Sequence, residues 1–178
     1  MGNLFLLRHA KSDWGDASLS DFDRPLNARG LAAADMMGRY LKDEGIEPDL
    51  VLVSSAVRTR ETIARVMAAA GAAWRIQYDD ALYLADPITI LAAIHAVPDS
   101  VGTLMLVGHN PGLEETARRL AGRAPHELLY RLREKYPTAT LAGFETTVPW
   151  HRLAPGHSLL TRLVRPADLS PATGHGAL

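Results

Sequence analysis

The sequence predicts an α/β fold in three layers, α/β/α: a doubly wound, mostly parallel sheet with helices on both faces. Three observations carry that expectation. Short apolar runs recur at Leu4–Leu7, Leu50–Val53 and Thr103–Val107, and none shows helical spacing, as expected of strands buried on both faces. Between them lie stretches with apolar residues at helical spacing, so strands alternate with helices. Each run also hands over to polar residues, at the edge where open α/β sheets place their ligands.

Taken in order, the first strand runs straight into Arg8 and His9. Residues 13–26, polar and carrying Gly15 and Pro25, read as a loop. Asn27 is an N-cap for a helix whose stripe is Leu31, Met36, Met37, Tyr40 and Leu41, with Gly45 and Pro48 as stop signals. After the second strand, Ser54 and Ser55 can cap a helix to about Gly71, with Val57, Ile63, Ala64 and Met67 inward. A third strand is expected near Trp74–Tyr78. Asp86 with Pro87 opens a helix bearing Ile90, Leu91, Ile94 and Val97. Beyond Thr103–Val107, Gly108, His109 and Asn110 form an exit turn and Pro111 starts a helix to about Leu120. Pro125 precedes another, with Leu128, Leu129 and Leu132. Thr138–Phe144 and Ser158–Val164 read as late strands, one of which can pair antiparallel. Residues 1–165 are expected to form one domain, and 166–178 a loosely held tail.

A chain of 178 residues, 47% apolar, is long enough for a real core. With 19 basic and 20 acidic residues, the net charge of -1 gives no general pull toward nucleic acid or acidic membranes. The absence of cysteine excludes disulfides, thiol catalysis and thiolate metal sites. No stretch approaches the roughly 18 apolar residues of a membrane helix. The N-terminal apolar run is interrupted at once by Arg8, His9 and Lys11, unlike a signal peptide, and a cytoplasmic location is expected.

The chemistry collects at three strand exits: Arg8 and His9 after the first, Arg58 one turn into the helix after the second, and His109 after the fourth. Two arginines, two histidines and the positive ends of helices suit a dianion, of which phosphate is the natural candidate. Ser12 and Asn110 are further candidate donors to phosphate oxygens, although such residues also serve as local turn makers. Each feature has a plainer reading beside it. Arg58 could pair with Glu61 on the same helix face, and Gly-His-Asn-Pro is turn chemistry in any protein. His95, His126, His151, His157 and His175 show no ligand spacing with acidic partners, so no metal site is expected.

LRHAKS, SSAVRTRET and VGHNP, in this order, resemble the three motifs of the histidine phosphatase superfamily, also called the phosphoglycerate-mutase-like family. FDRPLNARG and the short length resemble its small SixA-type branch of phosphohistidine phosphatases. The resemblance implies that His9 attacks phosphorus and carries the phosphoryl group covalently. Arg8 and Arg58 would hold phosphoryl oxygens and lower the pKa of His9, and His109 would donate to an oxygen as imidazolium. No metal or cofactor is implied.

Two departures bear on the substrate. Ala10 stands where the wider superfamily has Gly. Many ester-cleaving members carry a carboxylic general acid where DDALYLADP here shows Tyr83 and Leu84. Asp86 lies nearby but reads more simply as a helix cap. An alkoxide leaving group needs a proton from the enzyme, whereas phosphohistidine can depart protonated on its second ring nitrogen. The expected substrate is therefore phosphohistidine on a signalling protein. A phosphatase or mutase for a small phosphate ester, and a phosphate-binding module without turnover, remain as alternatives.

Overall fold

A computed structural model describes residues 1–170. Seven strands form one mixed sheet in the order β3-β2-β4-β1-β6-β7-β5. They are β1 (Gly2–Arg8), β2 (Leu50–Ser54), β3 (Ile76–Asp79), β4 (Thr103–Gly108), β5 (Ala121–Arg123), β6 (Leu141–Thr146) and β7 (Ser158–Val164). The helices are α1 (Ala28–Asp43), α2 (Val57–Ala70), α3 (Pro87–His95), α4 (Gly112–Leu120), α5 (His126–Glu134) and α6 (Pro166–Leu169).

The apolar runs are strands because both of their faces are covered. Side chains alternate across a strand. Leu4, Leu6, Leu52, Leu104 and Leu106 thus pack in one cluster with Ile90, Ile94, Leu113 and Leu132 from α3, α4 and α5. Phe5, Leu7, Val51, Val53, Met105 and Val107 pack in the other with Met37, Leu41, Ile63 and Val66 from α1 and α2. Two separate cores on one sheet give the three layers that the sequence predicts.

The caps expected at Asn27 and Asp86 form: their carboxamide and carboxylate oxygens accept from Gly30 N (2.9 Å) and Thr89 N (2.8 Å). The cap expected at Ser54 or Ser55 does not form. Ser54 ends β2, and α2 begins after Ala56 without a side-chain cap. Val57 N donates instead to Phe22 O at 3.0 Å, which ties the start of α2 to the 13–26 loop. Ala64 is exposed, and Thr59, Thr62, Ile63 and Val66 take the inner face of α2.

The third strand runs Ile76–Asp79, starting two residues and ending one residue later than expected, and β6 begins at Leu141. Residues 138–140 turn instead, with Ala139 at φ 58. That left-handed conformation is uncommon for a residue with a side chain. It lets Ala139 N donate to the carbonyls of both Arg8 and His9. The strand β5 is too short to have been read from periodicity. The antiparallel member is β6, which pairs with β1, while β1, β4, β2 and β3 run parallel. In the expected tail, residues 166–169 form α6, where Asp168 pairs with Arg131 at 2.5 Å. Residues 171–178 lie outside the described part.

Candidate active site

Parallel pairing puts the C-terminal ends of β2, β4 and β1 on one edge of the sheet. The register sets Arg8 opposite Gly108, so the next residues, His9 and His109, emerge side by side. Their ring centroids are 5.2 Å apart, tilted by 52°. From α2, Arg58 Nε reaches to 3.4 Å from His9 Nε2. Arg8, His9, Ser12, Arg58, His109 and Asn110 all line one cavity of about 360 Å³. A larger groove of about 640 Å³ shares Lys11 and Thr138 with it but contains neither histidine.

The hydrogen bonding of His9 fixes its tautomer. Its Nδ1 lies 2.7 Å from Ala10 O. A carbonyl only accepts, so Nδ1 carries the proton and Nε2 keeps its lone pair. Ala10 is held in turn, because its N donates to Thr62 Oγ1 at 2.9 Å. Burial, helped by the charges of Arg58 and Arg8, pushes His9 from 6.5 down to about 4. The ring is neutral at neutral pH and presents an unprotonated nitrogen beside a guanidinium.

The imidazolium role expected of His109 concerns a bound phosphoryl oxygen. Burial first, then His9 and Arg58, push His109 down to about 3, so these surroundings favour the neutral ring. Its Nε2 lies 2.7 Å from Ser54 Oγ, which explains why that hydroxyl does not cap α2. Its Nδ1 is buried without a partner among the described residues. If Ser54 donates to Nε2, Nδ1 bears the proton and is a donor. A phosphoryl dianion beside the ring is the charge that would favour full protonation.

Arg58 is only 3% exposed and does not pair with Glu61. Glu61 accepts from Leu26 N at 2.7 Å. Arg58 instead donates to Asp21 through Nη1 to the backbone O (2.6 Å) and Nη2 to Oδ2 (3.1 Å). Asp21 also accepts from Tyr83 OH at 2.5 Å and from Arg24. Tyr83 and Arg58 hold its carboxyl at about 2, so it is ionised. The Tyr83 ring meets His109 edge-on at 5.5 Å, and Arg24 lies over the exposed Trp14 at 3.2 Å. None of Asp21, Arg24 and Trp14 is singled out by the sequence patterns, and Tyr83 enters there only as standing where a general acid is absent. The DFDRP stretch was the one available signal for the first two.

Arg8 and Asn110 are anchored to the same carbonyl. Arg8 Nη1 and Asn110 Nδ2 donate to Tyr136 O at 2.9 and 3.0 Å. Arg8 Nε and Asn110 Oδ1 remain without partners among the described residues. Ser12 is buried and sits in the bridge with Leu26 that closes the neck of the 13–26 loop. Asp86 caps α3 and does not line the cavity. Among the described residues, no group of three His, Cys, Asp or Glu could hold a metal ion. No helix among them is long and apolar enough to cross a membrane.

Residues 4–83 match the family description "Histidine phosphatase superfamily (branch 1)". A crystal structure from Agrobacterium tumefaciens, of a chain assigned as the phosphohistidine phosphatase SixA, superposes with a TM-score of 0.79 at 34% identity. The match covers 93% of this chain and 98% of that one. The protein Rv1276c of Mycobacterium tuberculosis, uncharacterized in function, is 36% identical over 156 residues, 86% of this chain and 96% of its own length. A 2,3-bisphosphoglycerate-dependent phosphoglycerate mutase from Novosphingobium aromaticivorans is 33% identical over 76 residues, 42% of this chain and 33% of its own. The chain belongs to the histidine phosphatase superfamily, in its SixA-type branch. That membership supports a phosphatase or mutase acting on a phosphate-containing substrate.

Proposed function

We propose that this protein hydrolyses phosphohistidine on a signalling protein through a covalent intermediate on His9. The observation that supports this most is the pinned His9 ring, whose Nδ1–H donates to Ala10 O and whose Nε2 lone pair faces Arg58. Nε2 attacks phosphorus, and the bond to the substrate's ring nitrogen breaks with its electrons returning to that ring. Arg8, Arg58 and His109 hold the phosphoryl oxygens while charge redistributes, with Ser12 and Asn110 as further donors. Water then attacks phospho-His9 and phosphate leaves. Residues 1–165 act in this as one domain, and the lack of cysteine is in keeping with a cytoplasmic location.

The substrate preference rests on proton supply. Among the described residues lining the cavity, Asp21 is the one carboxylate, and it is held ionised. It has no proton to give an alkoxide, whereas an imidazole leaving group brings its own. A second reading, a small phosphate ester, draws on the partial similarity to a phosphoglycerate mutase.

The test is phosphate release from a phosphohistidine-bearing protein, compared with phosphoglycerate and p-nitrophenyl phosphate. We expect kcat/KM to favour the first by at least about a hundredfold. Comparable turnover of the esters would move the assignment to the second reading. Tight phosphate binding without any turnover would make the protein a binding module.

A further inference from the structure

Asp21 is an odd group to find in a cavity built for a dianion. It brings a full negative charge to a site whose other charged residues are cationic. An explanation through Arg58 alone is incomplete, because the carboxylate is not used up by its partners. It has about four lone-pair positions. Oδ2 takes two donors, Tyr83 OH and Arg58 Nη2, and Oδ1 takes one, Arg24. One position on Oδ1 is left, and the side chain is 43% exposed.

Its place relative to the nucleophile follows from two contacts through Arg58. His9 Nε2 lies 3.4 Å from Arg58 Nε, and Arg58 Nη2 lies 3.1 Å from Asp21 Oδ2. The carboxylate thus stands one guanidinium away from the attacking nitrogen. In-line transfer puts the leaving atom on the far side of phosphorus from the nucleophile. A departing imidazole therefore extends past the phosphoryl group toward the rim, with its second nitrogen one ring-width further out. At that rim stand Asp21, the exposed indole of Trp14 (75% exposed) and Leu84 (54% exposed).

The geometry points to Asp21 as the acceptor for the free ring N–H of the departing phosphohistidine, so that the site selects a protonated imidazole leaving group over an anionic ester. This rests on the phosphohistidine reading above and assigns the residue that enforces it. In the balanced step, the His9 Nε2 lone pair forms the new N–P bond. The old N–P bond breaks toward the substrate ring, and the proton on that ring's other nitrogen stays in place, hydrogen-bonded to Asp21. The ring leaves as neutral imidazole, and the positive charge passes to phospho-His9, whose Nδ1–H still faces Ala10 O. The carboxylate neither gains nor loses a proton. A leaving group with its own carboxylate, such as phosphoglycerate, meets Asp21 as a like charge. Tyr83 and Arg24 hold the carboxylate in position, which gives both residues a use that the phosphoryl site alone does not.

The experiment compares kcat/KM for phosphoimidazole and for 3-phosphoglycerate in the wild-type protein, Asp21→Asn and Asp21→Glu. Asp21→Asn should lower the ratio of kcat/KM for phosphoimidazole to that for 3-phosphoglycerate by about ten- to a hundredfold. Asp21→Glu should recover part of the preference, since it restores the charge. Equal losses on both substrates in Asp21→Asn would show that Asp21 only positions Arg58 and would overturn the assignment. Should Asp21→Asn fail to fold, Asp21→Ser gives the same ratio and the same decision. A wild-type protein that prefers 3-phosphoglycerate would instead sink the phosphohistidine reading itself.

Discussion

The two histidines should make the protein acid-labile in a particular window. His9 is held at about 4 and His109 at about 3, against 6.5 for an ordinary histidine. Both are bases whose folded-state pKa is depressed, so the unfolded chain binds more protons. The stability each confers is complete above 6.5 and is lost as the pH falls toward the folded values, below which the loss levels off. Between about pH 8 and about pH 5 each ring should cost about 2 kcal/mol, or about 4 kcal/mol together. That is a large share of the roughly 5–15 kcal/mol available to a typical domain. Asp21 does not interfere, because a carboxyl lowered from 3.8 to about 2 confers stability that is lost only below that window. The assay is urea unfolding at both pH values for the wild-type protein and for His9→Gln/His109→Gln. The double variant should show a pH dependence weaker by about 4 kcal/mol. Equal pH dependence in the two proteins would mean that the rings are solvated, and the electrostatic picture of the site would fail.

Other perturbations probe the site separately. His9→Ala should reduce turnover by at least about a thousandfold while the circular dichroism spectrum stays native, because His9 leaves the end of β1 and fills neither core. An unfolded variant would mean that this residue is structural. Arg58→Lys keeps a charge but loses the planar fork, and should lower kcat/KM by about a hundredfold or more. Arg58→Met should in addition move the acid limb of the rate profile to higher pH, since the charge of Arg58 helps depress both histidines. An unmoved limb would refute that contribution. Gly112→Ala would place a methyl 1.8 Å from Ala85 O, at the joint between α4 and the segment carrying Tyr83. It should cost about 1–3 kcal/mol in thermal or urea unfolding and reduce turnover. Wild-type behaviour would show that this joint yields freely.

The parts legible in the sequence are those with a period or a cap. Leu4–Leu7, Leu50–Val53 and Thr103–Val107 announce buried strands because both faces of the sheet need apolar cover. Asn27 and Asp86 announce helix starts because their side chains satisfy amide groups there. Arg8, His9, Arg58 and His109 could be drawn toward one edge because parallel strands end on the same side. The rest of the site comes from features with no such signature. Asp21, Arg24 and Trp14 sit in an aperiodic loop, and Tyr83 follows a single 3-10 turn. Ser54 looks like a cap in any sequence, and only the neighbouring His109 gives its hydroxyl a better partner. Tyr136 anchors Arg8 and Asn110 through its backbone carbonyl, which side-chain identity cannot reveal. The lowered pKa of His109 depends mainly on burial, which side-chain identity alone does not show.

Everything proposed for the site turns on His9 Nε2 being the atom that takes the phosphoryl group. Rapid quenching during turnover of a phosphohistidine protein, followed by peptide mapping and phosphorus NMR at alkaline pH, reads that atom directly. An acid-labile, alkali-stable phosphoryl group on His9 at Nε2, absent from His9→Ala, is expected. Phosphate on Nδ1, on another residue, or released at full rate with no labelled enzyme at any time would contradict it.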